Sequence, residues 1–259
     1  MEKNESGLQP ITDKGWLSGF GNLFMNESGK WWSTSRWWVQ SLIWLAIVNG
    51  VVVLNIMGLG RGQHTANEGV EFLFIFQTFF VMIGVIIIMQ NILVGEKLEG
   101  TAALVLSKPV SRTAFVLAMT IATIFPTVLI MIVLQSAVGY ALISAFSGVH
   151  IEISSFLTVV GYAILHLIFY LTMSLLVGTL FNKRGPVIGI PIVVLFLQMI
   201  IDEFTPQAGS VYMPSMIIKT IGKFGMGTMQ VPIQPVIVMV VCSLLFVVLA
   251  VFRFKREEF

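Results

Sequence analysis

The sequence predicts an all-α integral membrane protein of six transmembrane helices, on three observations. Of the 259 residues, 56% are hydrophobic and only 11% charged, whereas a soluble domain carries about 25% charged residues. Six apolar runs recur along the chain, long enough to cross a hydrocarbon core of about 30 Å at about 1.5 Å per residue. Lysine and arginine, finally, collect in alternate connections between those runs.

The elements follow in order. Met1 to Lys14 is polar and has no apolar stretch after a basic start, which argues against a cleaved signal peptide; residues 1–14 read as a disordered tail. From Trp16 the pattern turns helical, with Trp16, Phe20, Leu23 and Phe24 on one side and Asn22, Asn26, Glu27 and Lys30 largely on the other. This is the signature of a helix lying in the membrane interface. Trp31, Trp32, Trp37 and Trp38 then crowd the start of the first span, at the headgroup level that aromatic rings favour, and with Trp16 they serve as anchors.

Residues 15–259 form one domain, with spans at about 37–57, 72–94, 115–140, 156–180, 186–201 and 233–252. None of these spans holds an Asp, Glu, Lys or Arg. The fifth is short and contains Pro186, Gly189 and Pro191, so it is the span expected to kink. The longest connection, residues 202–232, is punctuated by Pro206, Pro214 and Pro232. Its Met216, Ile217, Ile218, Ile221 and Phe224 pattern, with Lys219 and Lys223 on the wetter side, reads as a structured outer cap.

Charge sets the orientation. With the N-terminus inside, the cytosolic segments hold Lys3, Lys14, Lys30, Arg36, Lys97, Lys108, Arg112, Lys183, Arg184, Arg253, Lys255 and Arg256, leaving only Arg61, Lys219 and Lys223 outside. Both termini are then cytosolic, and so is the loop from Gly95 to Arg112. Within it Leu98, Ala102, Leu106 and Val110 recur at i, i+4 while Glu96, Lys97, Glu99, Thr101 and Lys108 lie off that line, which predicts a short amphipathic helix ending near Pro109.

Glu99-Gly100-Thr101, a short apolar run, and Ser107-Lys108-Pro109-Val110-Ser111-Arg112 resemble the signature of ABC-2 type transporter permeases, the membrane subunits of ATP-driven transporters. One position departs: Met119 stands where these permeases often carry a lysine. The resemblance implies a prokaryotic cell-membrane protein whose interfacial helix is an elbow and whose loop between spans two and three is a coupling helix seated in a cytosolic ATPase. It implies docking through Glu96, Glu99, Gly100, Thr101, Pro109 and Arg112; apart from the resemblance, Lys183 and Arg184 in the Asn182 to Gly185 connection between spans four and five are expected to make a minor second contact. The implied partners are ABC ATPase subunits and a second copy or related permease, in a lipid bilayer. ATP and magnesium would sit on the ATPase, with no cofactor on this chain, and the cargo would be moved outward. Spans without an Asp, Glu, Lys or Arg argue against an ion-coupled transporter or channel and suit an apolar or amphipathic cargo better than a small ion.

Other classes find less support. No G-x-x-x-x-G-K-[ST] loop occurs, and Gly58 to Gly62 lacks its Lys-Ser/Thr ending, so it reads as a turn. The net charge of +2, without basic clusters interleaved with aromatics, argues against nucleic acid. His150 and His166 show no H-E-x-x-H spacing, no G-x-S-x-G motif occurs, and the single Cys242 has no metal-site partner, which leaves an intramembrane enzyme little ground. His166 reads as a hydrogen-bonding residue between helices, in company with the Gln and Asn residues of the spans. The remaining alternative is a membrane scaffold that docks a cytosolic protein and transports nothing.

Overall fold

The computed structural model describes residues 15–204, 212–216 and 233–257. The expected tail at 1–14 lies outside them, as does most of the expected outer cap at 202–232. Eight helices are numbered here along the described chain: α1 (Phe20–Trp32), α2 (Trp37–Ile56), α3 (Gln63–Leu98), α4 (Thr101–Leu106), α5 (Arg112–Ser147), α6 (Ile153–Leu180), α7 (Arg184–Phe204) and α8 (Ile233–Lys255). Five of them, α2, α3, α5, α6 and α8, are long and apolar enough to cross a membrane. The fifth expected span falls within α7, whose apolar segment Arg184–Gln198 is shorter.

The helices outrun the apolar runs that announce them. α3 and α5 are each 36 residues long, about 54 Å at 1.5 Å per residue. α3 begins among polar residues, Gln63, His64, Asn67 and Glu68, because helical hydrogen bonding does not stop where the hydrocarbon does.

Large apolar side chains face outward as well as inward, and polar ones are buried within a mainly apolar core. Leu54 is 75% exposed on α2, and Leu244 and Val248 on α8 are each 63% exposed, while Asn49, Gln77, Gln135 and Ser136 are buried. Such an exterior suits hydrocarbon, where interhelical hydrogen bonds between interior polar groups hold the helices together. Asn49 Nδ2 donates to Gln135 Oε1 at 2.9 Å, joining α2 to α5. Gln77 Nε2 donates to Ser136 Oγ at 3.0 Å, joining α3 to α5. Tyr170 and Gln198 join α6 to α7, with oxygens 3.1 Å apart.

α6 is the central helix, 72% of its most apolar stretch being buried against 22% for α8; it packs on α3, α5, α7 and α8. α2 approaches α3 through Gly84, where a Cβ would fall 2.2 Å from Trp44 Cζ2, so only glycine leaves room for the indole.

The fifth expected span contains no widened turn. α7 is α-helical throughout with Pro191 inside it. Irregular turns occur instead in the first three spans, as π-helical segments at Leu45–Asn49, Gln77–Val81, Asn91–Gly95 and Leu129–Val133. A widened turn leaves carbonyls off the i→i−4 ladder, and at Leu129–Val133 glutamine side chains take two of them up. Gln135 Nε2 donates to Ile130 O at 3.0 Å and Gln77 Nε2 reaches Ile132 O at 3.4 Å.

Candidate functional site

Four separate stretches meet at one end of this bundle, around the connection between α3 and α5. α3 ends at Leu98, Glu99 makes a turn, and Gly100 adopts φ 74°, a left-handed conformation that favours glycine. Nothing lies within 4 Å of where its Cβ would be, so the backbone and not a neighbour demands the glycine. The single stripe expected from Leu98 through Val110 is therefore broken in two. Ala102 is fully buried and Leu106 and Val110 are half-buried, but Leu98 is turned out, 58% exposed. Leu104, off the expected stripe, is 64% exposed.

The segment preceding α1 is stitched to the far side of the loop. Ser18 Oγ donates to Pro109 O at 3.0 Å, Ser111 N donates to Ser18 O at 3.0 Å, and Ser111 Oγ donates to Trp16 O at 2.6 Å. The same Ser111 Oγ accepts from Ala114 N at 3.0 Å, capping the first turn of α5. Gly19 has φ 78°, and a Cβ there would sit 2.8 Å from Val110 Cγ2.

Two cations tie the roots of the loop to the end of α8. Lys97 Nζ lies 2.8 Å from Glu257 Oε1, and it donates to Gly178 O at 3.1 Å and Asn182 Oδ1 at 3.3 Å, near the end of α6. Arg112 Nη1 donates to Lys255 O at 2.9 Å and to Glu257 O. Phe115 of α5 stacks on Phe254 of α8 with ring centroids 5.4 Å apart beside these contacts.

The expected site residues thus divide. Glu99, Gly100 and Pro109 are exposed at the tip, as are Lys183 and Arg184, and the Lys97–Asn182 bond brings that second connection beside the first. Glu96, Thr101 and Arg112 are half-buried in the root: Glu96 lies 3.7 Å from Lys30 of α1, and Thr101 Oγ1 donates to Glu96 O at 3.4 Å. Trp16 does not belong to the first helix; it sits in the turn before α1, 68% exposed. Trp32 and Trp37 pair at 6.3 Å, and Trp31 lines a cavity between α1 and the bundle.

Sequence reasoning missed Lys97 and Glu257 as a pair, since nothing in the chain links a loop charge to a residue beyond α8. Leu104 was legible as an apolar residue off the stripe. His166 departs from its expected role. Its imidazole nitrogens are buried without a hydrogen-bond partner among the described residues, and its ring meets Tyr170 of the same helix edge-on at 5.0 Å.

The apolar exterior, the polar pairs buried between helices and the five long helices define a helical, membrane-embedded protein with a loop assembly fixed at one end. Residues 39–259 match the family described as a protein of unknown function (DUF2705), and the chain belongs to that family. No curated protein matches it.

Proposed function

We propose that this chain is the permease subunit of an ABC-2 type ATP-driven exporter, with α1 as its elbow helix, α7 as the fifth of six spans and the Gly95 to Arg112 loop as its coupling helix. The observation that carries this reading is the contrast within that loop. Its roots are bonded to the segment before α1, to the connection after α6 and to the end of α8, while Leu98, Glu99 and Leu104 stand exposed at its tip. An apolar pair beside charge is a surface for a protein groove. The positive-inside count turns it to the cytosol, and the Glu99 to Arg112 motif names the kind of groove.

Mechanically, a partner that pushes this tip pushes several elements together. Lys97 and Arg112 pass displacement to α6 and α8, and the Ser18, Ser111 and Pro109 bonds pass it to the segment leading into α1. Two such chains rocking against each other would alternate access for an apolar or amphipathic cargo. The energy enters through the different contacts the tip makes with two states of the ATPase pair, which holds the ATP and magnesium.

Purification of the tagged chain from its native membrane tests the reading. A stoichiometric subunit carrying a P-loop, with ATPase activity in the complex, is expected. A chain that purifies without an ATPase, under conditions that keep other transporter complexes whole, would return the scaffold reading.

A further inference from the structure

The cavity between α1 and the bundle has a volume of about 580 Å³, within the range of about 300–1,000 Å³ typical of small-molecule sites. Two chemistries meet in it. Its apolar lining comes from Trp31, Ile88, Ile92 and Met119, and its charged lining from Glu27, Lys30, Glu96 and Glu99. Lys30 Nζ lies 2.6 Å from Glu27 Oε1 and 3.7 Å from Glu96 Oε1. One ammonium therefore serves two carboxylates, and Glu99 makes no ion pair among the described residues. Asn91, also lining the cavity, is exposed, and its side chain makes no hydrogen bond among them.

We propose that this cavity binds a cationic amphiphile, its charged head among Glu96, Glu99 and Asn91 and its chain along Ile88, Ile92 and Met119. Charge complementarity selects the occupant. Three carboxylates face one lysine, so a cation relieves repulsion at this rim, whereas an anionic head adds to it. Trp31 supplies an aromatic face that also favours a cation. The apolar lining excludes a free inorganic cation as the best fit, because burying it there would cost hydration without return. The proposal goes beyond the transport reading: binding requires no ATPase, and only the further step of calling the ligand a cargo would rest on that reading.

The experiment is photolabelling of the purified full chain in lipid nanodiscs with an alkyltrimethylammonium probe carrying a diazirine in its chain, the labelled peptides being mapped by mass spectrometry. Saturable labelling at Ile88 to Ile92 and at Met119 is expected, competed by dodecyltrimethylammonium and not by dodecyl sulfate. Glu96→Gln with Glu99→Gln should reduce it about fivefold, a loss of about 1 kcal/mol over the two carboxylates. Glu99→Gln alone, at an exposed position, should reduce it less without affecting folding. Non-saturable labelling, equal labelling by cationic and anionic probes, or labelling indifferent to both substitutions would overturn the proposal. Preferential labelling by an anionic probe that is lost in Lys30→Gln would overturn it in favour of an anionic ligand.

Discussion

Lys97 and Glu257 form an ion pair at 2.8 Å, with side chains only 6% and 10% exposed, between the last turn of α3 and the residue run that follows α8. A charge so enclosed is stabilised only while its partners stay in place. Lys97 keeps two further acceptors, Gly178 O and Asn182 Oδ1, so the loop root, the end of α6 and the end of α8 converge on one ammonium group. Glu257→Gln should cost about 1–3 kcal/mol, read as a lowered thermal midpoint in detergent. Lys97→Met should cost at least as much, and the double variant should lose less than the two singles together, by about 1–2 kcal/mol. Additive losses would show that the pair is not coupled.

Gly19 sits at the seam between the segment before α1 and the loop. Replacing it with alanine meets two obstacles: a left-handed backbone, worth about 1–2 kcal/mol, and a Cβ 2.8 Å from Val110 Cγ2. Gly19→Ala should lower the thermal midpoint and expose the segment around Trp16 to protease. Adding Val110→Ala should restore part of the loss, the steric part, and leave the backbone part.

The Asn49–Gln135 hydrogen bond links α2 to α5 at 2.9 Å. Asn49→Leu should destabilise the bundle by about 0.5–1.5 kcal/mol, the range for polar pairs inside membranes. Unfolding titration in mixed micelles reads it. A neutral or stabilising result would mean that Gln135 Oε1 loses nothing with its donor, Gln135 Nε2 keeping its bond to Ile130 O.

Orientation can be checked by labelling single cysteines introduced into a Cys242→Ser background. Cysteine at Ser107 should react with an impermeant maleimide only after the membrane is opened, and cysteine at Gly60 should react from outside in intact cells. The reverse pattern would invert the topology and remove the loop from any cytosolic partner.

What the sequence made legible was governed by local chemistry. Apolar runs mark where five helices cross and where α7 lies, because desolvation acts residue by residue. The polar start of α3 at Gln63 to Glu68 was missed, since helicity there carries no apolar signal. The π-helical turns carry no such signal, because a widened turn depends on whether a side chain, such as Gln77 from α3 or Gln135 five residues on, is placed to take the freed carbonyl. In the loop, Glu99, Gly100 and Pro109 are exposed, but the unbroken stripe that the apolar spacing predicts across Gly100 does not form. Gly100, the residue after the cap at Glu99 and so in the usual place for a left-handed glycine, is the signal for that break. Lys97 could not be assigned from the sequence, as its partners come from the ends of α6 and α8.

The measurement that bears most directly on the docking reading is site-specific crosslinking from the tip of the loop. A benzophenone amino acid placed at Leu104, which is 64% exposed, would be photoactivated in native membranes and its adduct identified by mass spectrometry. The account predicts one dominant protein adduct, a P-loop ATPase, and its loss when the same probe is placed at the buried Ala102. Adducts to lipid alone, or to a protein without a nucleotide site, would contradict it.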